Sequence, residues 1–290
     1  MTLILGMSKP EGIYLSADFR VTQAGRLIDD ASVKLLDVIF PPHDGGTRAL
    51  MAYTGLAILP GGLPMGSWLV ETLRGEAEYP DQAMAHLKTR LNRDVAPRRV
   101  GLIINALLIE GEHGERRLVG GFTNQRWDAA RGRIEVLPEF EYLMTELTAP
   151  AVFANGSGTA AALADKHLDL MRAQLDVHPR RASDHMKLLA SINRRVAAKD
   201  KTVSPACHVA FVPAQRPKPG KSDKDFGPMS RTFADRGESS PAVMPMLLFG
   251  IDTTHMMRQV QEQLAAMKAG ADAPPDIDPE TINRLLRRRD

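Results

Sequence analysis

A single cysteine, Cys207, stands among 290 residues, so no disulfide can close within the chain. That usage fits a reducing compartment. Cys207 lies in the apolar run Ala206-Cys207-His208-Val209-Ala210-Phe211-Val212 and reads as a buried, inert thiol. Aromatic residues make up only 5%, so aliphatic side chains and methionine must fill most of any core. The longest apolar stretches run to about ten residues, too short to span a bilayer. No basic segment followed by a long apolar one opens the chain, so no signal peptide is expected. Together these features point to a soluble, cytoplasmic protein. The charges nearly cancel at +2, which gives no reason to expect a nucleic-acid partner. The run Arg287-Arg288-Arg289 reads as a solvated tail. His43, His113, His178, His185, His208 and His255 show no metal-ligand spacing, so no metal site is expected from them. No Gly-x-x-x-x-Gly-Lys-Ser/Thr loop occurs, so the chain carries no P-loop ATPase of its own.

What is present is an ordinary globular composition, 43% hydrophobic and 25% charged. Leu3–Met7 and Ile13–Ala17 are short apolar runs joined by the turn-rich Ser8-Lys9-Pro10-Glu11-Gly12, a hairpin signature. Extended character continues over Arg26–Val38, and Arg48–Thr54 reads as another strand broken at Gly55. Apolar residues at three- and four-residue spacing then predict helices over Gly66–Leu73 and Asp81–Leu91. Strands follow at Val100–Ile109 and Arg117–Phe122, with weaker ones at Arg133–Leu137 and Ala151–Asn155. Two more helices, Thr159–Leu175 and Ala182–Ala198, precede a strand at Cys207–Val212. Runs of strands separated by runs of helices predict an α+β fold with stacked sheets under helical layers. Residues 1–212 read as the core and 213–243, rich in Pro, Lys, Asp, Ser and Gly, as a loop or linker. Residues 244–290 read as an extension: a strand at Met244–Ile251, an amphipathic helix at Asp252–Lys268, and a tail.

Chemistry is concentrated at the start. Thr2 opens the run Thr2-Leu3-Ile4-Leu5-Gly6-Met7; Asp18 follows sixteen residues later and Lys34 sixteen further on. Initiator methionine is commonly removed before a small second residue, and loss of Met1 would make Thr2 the N-terminus. Such a threonine carries a hydroxyl nucleophile and a base, its free α-amine, on one residue. A hydroxyl near neutral pH needs a base within hydrogen-bond reach and a donor for the developing oxyanion. The α-amine, with an ordinary pKa of about 8, needs little tuning to be neutral. Lys34 would tune it as a nearby cation or join the proton relay directly, and Asp18 would hold Lys34. Alone, Asp18 and Lys34 read as an ordinary buried ion pair; Thr2 at matching spacing turns the reading to catalysis.

These residues resemble the proteasome β-type family of N-terminal-nucleophile (Ntn) hydrolases. The likeness rests on Thr2, on the strand ending Ala17-Asp18-Phe19-Arg20, on Lys34, and on Asn155-Gly156-Ser157-Gly158-Thr159 before an alanine-rich segment. It covers roughly residues 2–212. The resemblance implies a four-layer αββα sandwich and threonine peptidase activity without cofactors. It also implies a peptide substrate, self-assembly into a ring-like homo-oligomer, and room for an ATP-dependent unfoldase as partner. By the same resemblance Gly55 supplies an oxyanion N–H, while Ser157, Asp200 and Ser204 support the nucleophile. Val21, Ser32 and Tyr53 fall along a substrate pocket wall. The family spacing is Asp-x-x-Ser, whereas this chain has Asp200-Lys201-Thr202-Val203-Ser204. Two other readings remain: an Ntn amidohydrolase acting on a small amide, and a non-catalytic assembly subunit of proteasome type.

Overall fold

A computed structural model describes residues 2–23, 26–41, 46–59, 62–75, 79–111, 113–179, 181–214 and 229–254, together with 256, 258, 259 and 262. The chain opens with β1 (Leu3–Lys9) and β2 (Gly12–Asp18), then a small hairpin of β3 (Val21–Gln23) and β4 (Arg26–Asp29). After β5 (Leu35–Ile39) and β6 (Thr47–Gly55) come α1 (Met65–Leu73) and α2 (Pro80–Asp94). Next are β7 (Leu102–Glu110), β8 (Arg116–Asp128), β9 (Arg133–Glu146) and β10 (Ala151–Gly156). Helices α3 (Thr159–Ala164), α4 (His167–Arg172) and α5 (Ala182–Lys199) lead to β11 (Cys207–Pro213). The described chain closes with β12 (Met229–Phe233), β13 (Ser239–Pro241), β14 (Met246–Leu248) and β15 (Ile251–Asp252).

The fold is mixed α+β. One sheet has the order β10-β1-β2-β11-β12-β13, and a second β15-β14-β5-β6-β7-β8-β9. Every residue of β1 and β2 is buried, because the first sheet is covered on both faces. One face carries Leu3, Leu5 and Met7 into a cluster with Met186, Leu189 and Val196 of α5. The other carries Ile4, Ile13 and Leu15 against Leu35, Leu50 and Leu107 of the second sheet. The far face of the second sheet packs Met51, Tyr53 and Ile104 under Trp68, Leu69, Leu87 and Leu91 of α1 and α2.

Local chemistry explains the helix starts. Pro80 sits in the first turn of α2, where its fixed φ suits the helix and no N–H is missed. At α5 the Asp184 carboxylate accepts the Arg181 main-chain N–H at 3.2 Å. Some expectations need correcting. The helix expected over Thr159–Leu175 is split into α3 and α4 at Lys166, which adopts a left-handed φ of 54°. The apolar period continues across that break, so pattern alone could not mark it. β8 and β9 are longer than expected, because the charged residues on one ribbon face hide its period. The segment expected as a linker contributes β12 and β13 to the first sheet, with Cys207 paired to Phe233. β14 pairs parallel to β5. Most of the helix expected over Asp252–Lys268, including Val260, Leu264 and Met267, and the tail beyond it lie outside the described residues.

Candidate active site

Thr2, Asp18 and Lys34 converge at the open end of the β1–β2 hairpin. Antiparallel pairing of Ile4 with Ala17 returns Asp18 to the level of Thr2. Lys34 comes from the other sheet, one residue before β5, where its carbonyl accepts the Tyr53 N–H at 3.4 Å. Its Nζ lies 2.8 Å from Thr2 Oγ and 3.2 Å from Asp18 Oδ1, and it also donates to the Arg20 carbonyl. All three side chains are withdrawn from solvent, with Thr2 only 3% exposed.

Asp18 is gripped from every side. Its Oδ1 accepts the Leu3 N–H at 2.9 Å as well as Lys34, and its Oδ2 accepts Arg20 N–H at 3.0 Å and Ser204 N–H at 2.9 Å. Burial pushes the Asp18 carboxyl up, while Lys34 and main-chain N–H groups oppose it. Donors on both oxygens, and no acceptor among these partners, fit the ionised form. Burial pushes the Lys34 amine down despite Asp18, Asp30 and Asp29 nearby. Its neutral form is therefore closer to hand than for a surface lysine.

A second line of contacts reaches Thr2 from behind. Ser157 Oγ lies 3.5 Å from the Thr2 carbonyl oxygen, at the outer limit of a hydrogen bond, and 3.1 Å from Thr202 Oγ. Thr202 in turn donates through Oγ at 2.6 Å and through its N–H at 2.9 Å to Asp200 Oδ1. Sequence reasoning passed over Thr202. Its signal was the threonine two residues after Asp200, the spacing of an Asx turn. Ser204 enters through its main chain: its N–H holds Asp18 and its carbonyl accepts Asn193 Nδ2 at 2.7 Å. Arg20, read from the sequence only as part of the Ala17–Arg20 motif, is bidentate to Asp30 and donates to the Lys201 and Val203 carbonyls. It thereby pins the Asp200–Ser204 turn beside the β3–β4 hairpin.

Gly55 ends β6 with φ 105°, and a Cβ there would stand 2.2 Å from the Gly101 carbonyl oxygen. Only glycine fits that conformation and approach. Gly156 is tighter against the site: with φ 96°, its Cβ would lie 1.9 Å from the Thr2 carbonyl oxygen and 3.3 Å from Thr54 Oγ. The residues expected along a pocket wall lie on three separate segments. Val21 is buried at the start of β3, and Ser32 donates to Asp29. Tyr53 packs in the cluster under α1 and α2, with its hydroxyl 3.4 Å from the Val33 carbonyl. Cys207 is buried, and burial pushes its thiol up to about 12. Among the described residues no group of three or more His, Cys, Asp and Glu could hold a metal ion. Among the same residues no helix is long and apolar enough to cross a membrane.

No family model matches the chain, and no curated protein matches it. These findings correct the family resemblance drawn from the motifs: the chain is not assigned to the proteasome β-type Ntn hydrolases. Solved structures similar to it include Anbu (ancestral beta-subunit) from Yersinia bercovieri, at 13% identity and TM-score 0.46, covering 95% of this chain and 100% of that one. Anbu from Hyphomicrobium sp. strain MC1 is similar at 10% identity and TM-score 0.48, again over 95% and 100%. A Gly-1 mutant of the same Anbu gives 11%, 0.49, 96% and 100%. At these identities and TM-scores the likeness assigns neither activity nor assembly to this chain.

Proposed function

We propose that this protein hydrolyses amide bonds in peptides, with Thr2 as nucleophile after removal of Met1. The observation that carries the reading is Lys34 Nζ at 2.8 Å from Thr2 Oγ, with ionised Asp18 holding the lysine from below. Thr2 Oγ attacks the substrate carbonyl as its proton passes to a neutral amine, either Lys34 or the freed α-amine. The tetrahedral oxyanion is taken by a main-chain N–H, for which Gly55 is the candidate. Collapse expels the amine with the transferred proton and leaves an ester on Thr2, which water hydrolyses. Asp200, Thr202 and Ser157 brace the Thr2 main chain during both steps. The layer order in this reading is α3–α5, first sheet, second sheet, α1–α2, supported by the three apolar clusters. Ring assembly and an unfoldase partner rested on the family resemblance alone and form no part of the proposal.

Intact mass before and after an α′,β′-epoxyketone tests it, because that reagent closes a ring on both the hydroxyl and a free α-amine of a terminal threonine. Loss of Met1 and one adduct, absent in Thr2→Ala, is expected. Retained Met1 with no adduct would sink the reading.

A further inference from the structure

The groups around Thr2 come from two sheets. Thr2, Asp18 and Ser157 sit at strand ends of the first sheet, and Lys34 and Gly55 at strand ends of the second. Their mutual distances therefore depend on how one sheet lies over the other. The layer between the sheets is chiefly apolar, built from Ile4, Ile13, Leu15, Leu35, Leu50 and Leu107 among others. Apolar contact is non-directional, so it holds the sheets together without fixing their slide. A hydrogen bond has a direction and a length and does fix it.

One side-chain pair at the β10 edge of this layer supplies such a bond. Asn155 of β10 donates through Nδ2 to Asn105 Oδ1 of β7. Asn105 is 5% exposed and shares its strand face with Leu107 and Ile109, which point at the first sheet. Asn155 pairs with Ile4, two residues from Thr2. The residue after it, Gly156, is the one packed on the Thr2 carbonyl, and Ser157 follows. Asn105 is paired across β6 with Ala52, on the strand that runs on to Thr54 and Gly55. A shift at this pair thus passes along one strand to Thr2 and along another to the Gly55 end.

We propose that the Asn105–Asn155 hydrogen bond is a positioning device that sets the second sheet against the first and so sets Lys34 and Gly55 against Thr2. The inference rests on the functional reading above, since its readout is the reactivity of Thr2. A purely structural role predicts something different for paired substitutions. Removing Asn155 strands the buried Asn105 carbonyl oxygen and removing Asn105 leaves the half-buried Asn155 amide without its partner, each at a cost in stability, whereas replacing both by apolar groups of similar shape is nearly neutral.

The test uses the full chain lacking Met1, comparing wild type with Asn105→Leu, Asn155→Leu and the double variant. Melting temperature is measured alongside the rate of Thr2 acylation by a β-lactone over a range of lactone concentrations. Each single variant should melt lower than wild type and acylate more slowly. The double variant should regain most of the melting temperature yet acylate about tenfold more slowly at saturating lactone, with half-saturation unchanged, as expected for misplaced rather than missing groups. A double variant that acylates at the wild-type rate would overturn the inference, as would rates that simply follow melting temperature. If wild type takes no adduct, the functional reading fails and this one with it. If wild type reacts and the double variant matches it, this inference alone fails.

Discussion

Lys34 in its charged form has three N–H donors, and three acceptors surround it: Thr2 Oγ, Asp18 Oδ1 and the Arg20 carbonyl. Its neutral form fits equally well. Two N–H groups then go to Asp18 and Arg20, and the lone pair faces the Thr2 hydroxyl, which turns to donate. Burial pulls the amine down from 10.5, so the neutral form gains population at a given pH. Thr2 acylation should therefore rise with pH along a limb whose midpoint lies below 10.5, measured as β-lactone labelling between pH 6 and 10. Arginine has no accessible neutral form. Lys34→Arg should lose that limb and label about a thousandfold more slowly, the scale of a missing general base. An unchanged limb in this variant would assign the base to the α-amine instead. Thr202 acts more weakly, through Ser157. Thr202→Val removes the link between Asp200 and Ser157 and should slow labelling by about tenfold, one hydrogen bond's worth at about 1.5 kcal/mol, with Thr202→Ser restoring it.

Among the strands, β11 joins the β1–β2 hairpin to β12, and His208 is its second residue, paired with Ala17 and Thr232. The ring stacks on Phe19 and shares a hydrogen bond with Ser230. Burial lowers its pKa from 6.5 to about 4. Between those values the unfolded chain binds the proton and the folded one does not. Stability from this group is thus complete above 6.5 and is lost as pH falls toward 4. From pH 7 to 5 the loss should be about 2 kcal/mol, from 1.36 kcal/mol per pH unit below 6.5. Urea unfolding at both pH values should show that His208→Gln escapes it; an equal acid loss in the variant would refute the assignment. Elements with a clear apolar pattern were legible in the sequence: β7, buried on both faces, from its continuous run, and α2 and α5, buried on one, from their spacing. β12 and β13 were not, since Pro, Ser and charged residues surround short edge strands whose pairing partner lies in β11. The convergence of Thr2, Asp18 and Lys34 was readable from the motifs. Thr202 was not, because its role depends on the turn that aims it at Ser157.

For the whole molecule, three apolar clusters do two different jobs. The two outer ones fasten helices to sheets, and the middle one sets how closely the two sheets approach. Only the middle one lies between groups that must touch to act. Leu107 in the middle cluster and Leu87 in the cluster under α1 and α2 are both almost fully buried. Truncating either to alanine should cost about 2–5 kcal/mol, the range for a buried leucine. Their effects on Thr2 should nevertheless diverge. A cavity at Leu107 lets the sheets settle toward each other and moves Lys34 relative to Thr2. A cavity at Leu87 is taken up between α2 and a sheet whose other face is unchanged. Urea unfolding should therefore rank the two variants together, while β-lactone labelling should separate them, with Leu107→Ala slow and Leu87→Ala near wild type. Equal labelling at equal stability loss would mean that the site is held by its own hydrogen bonds alone, with the sheets serving only as walls.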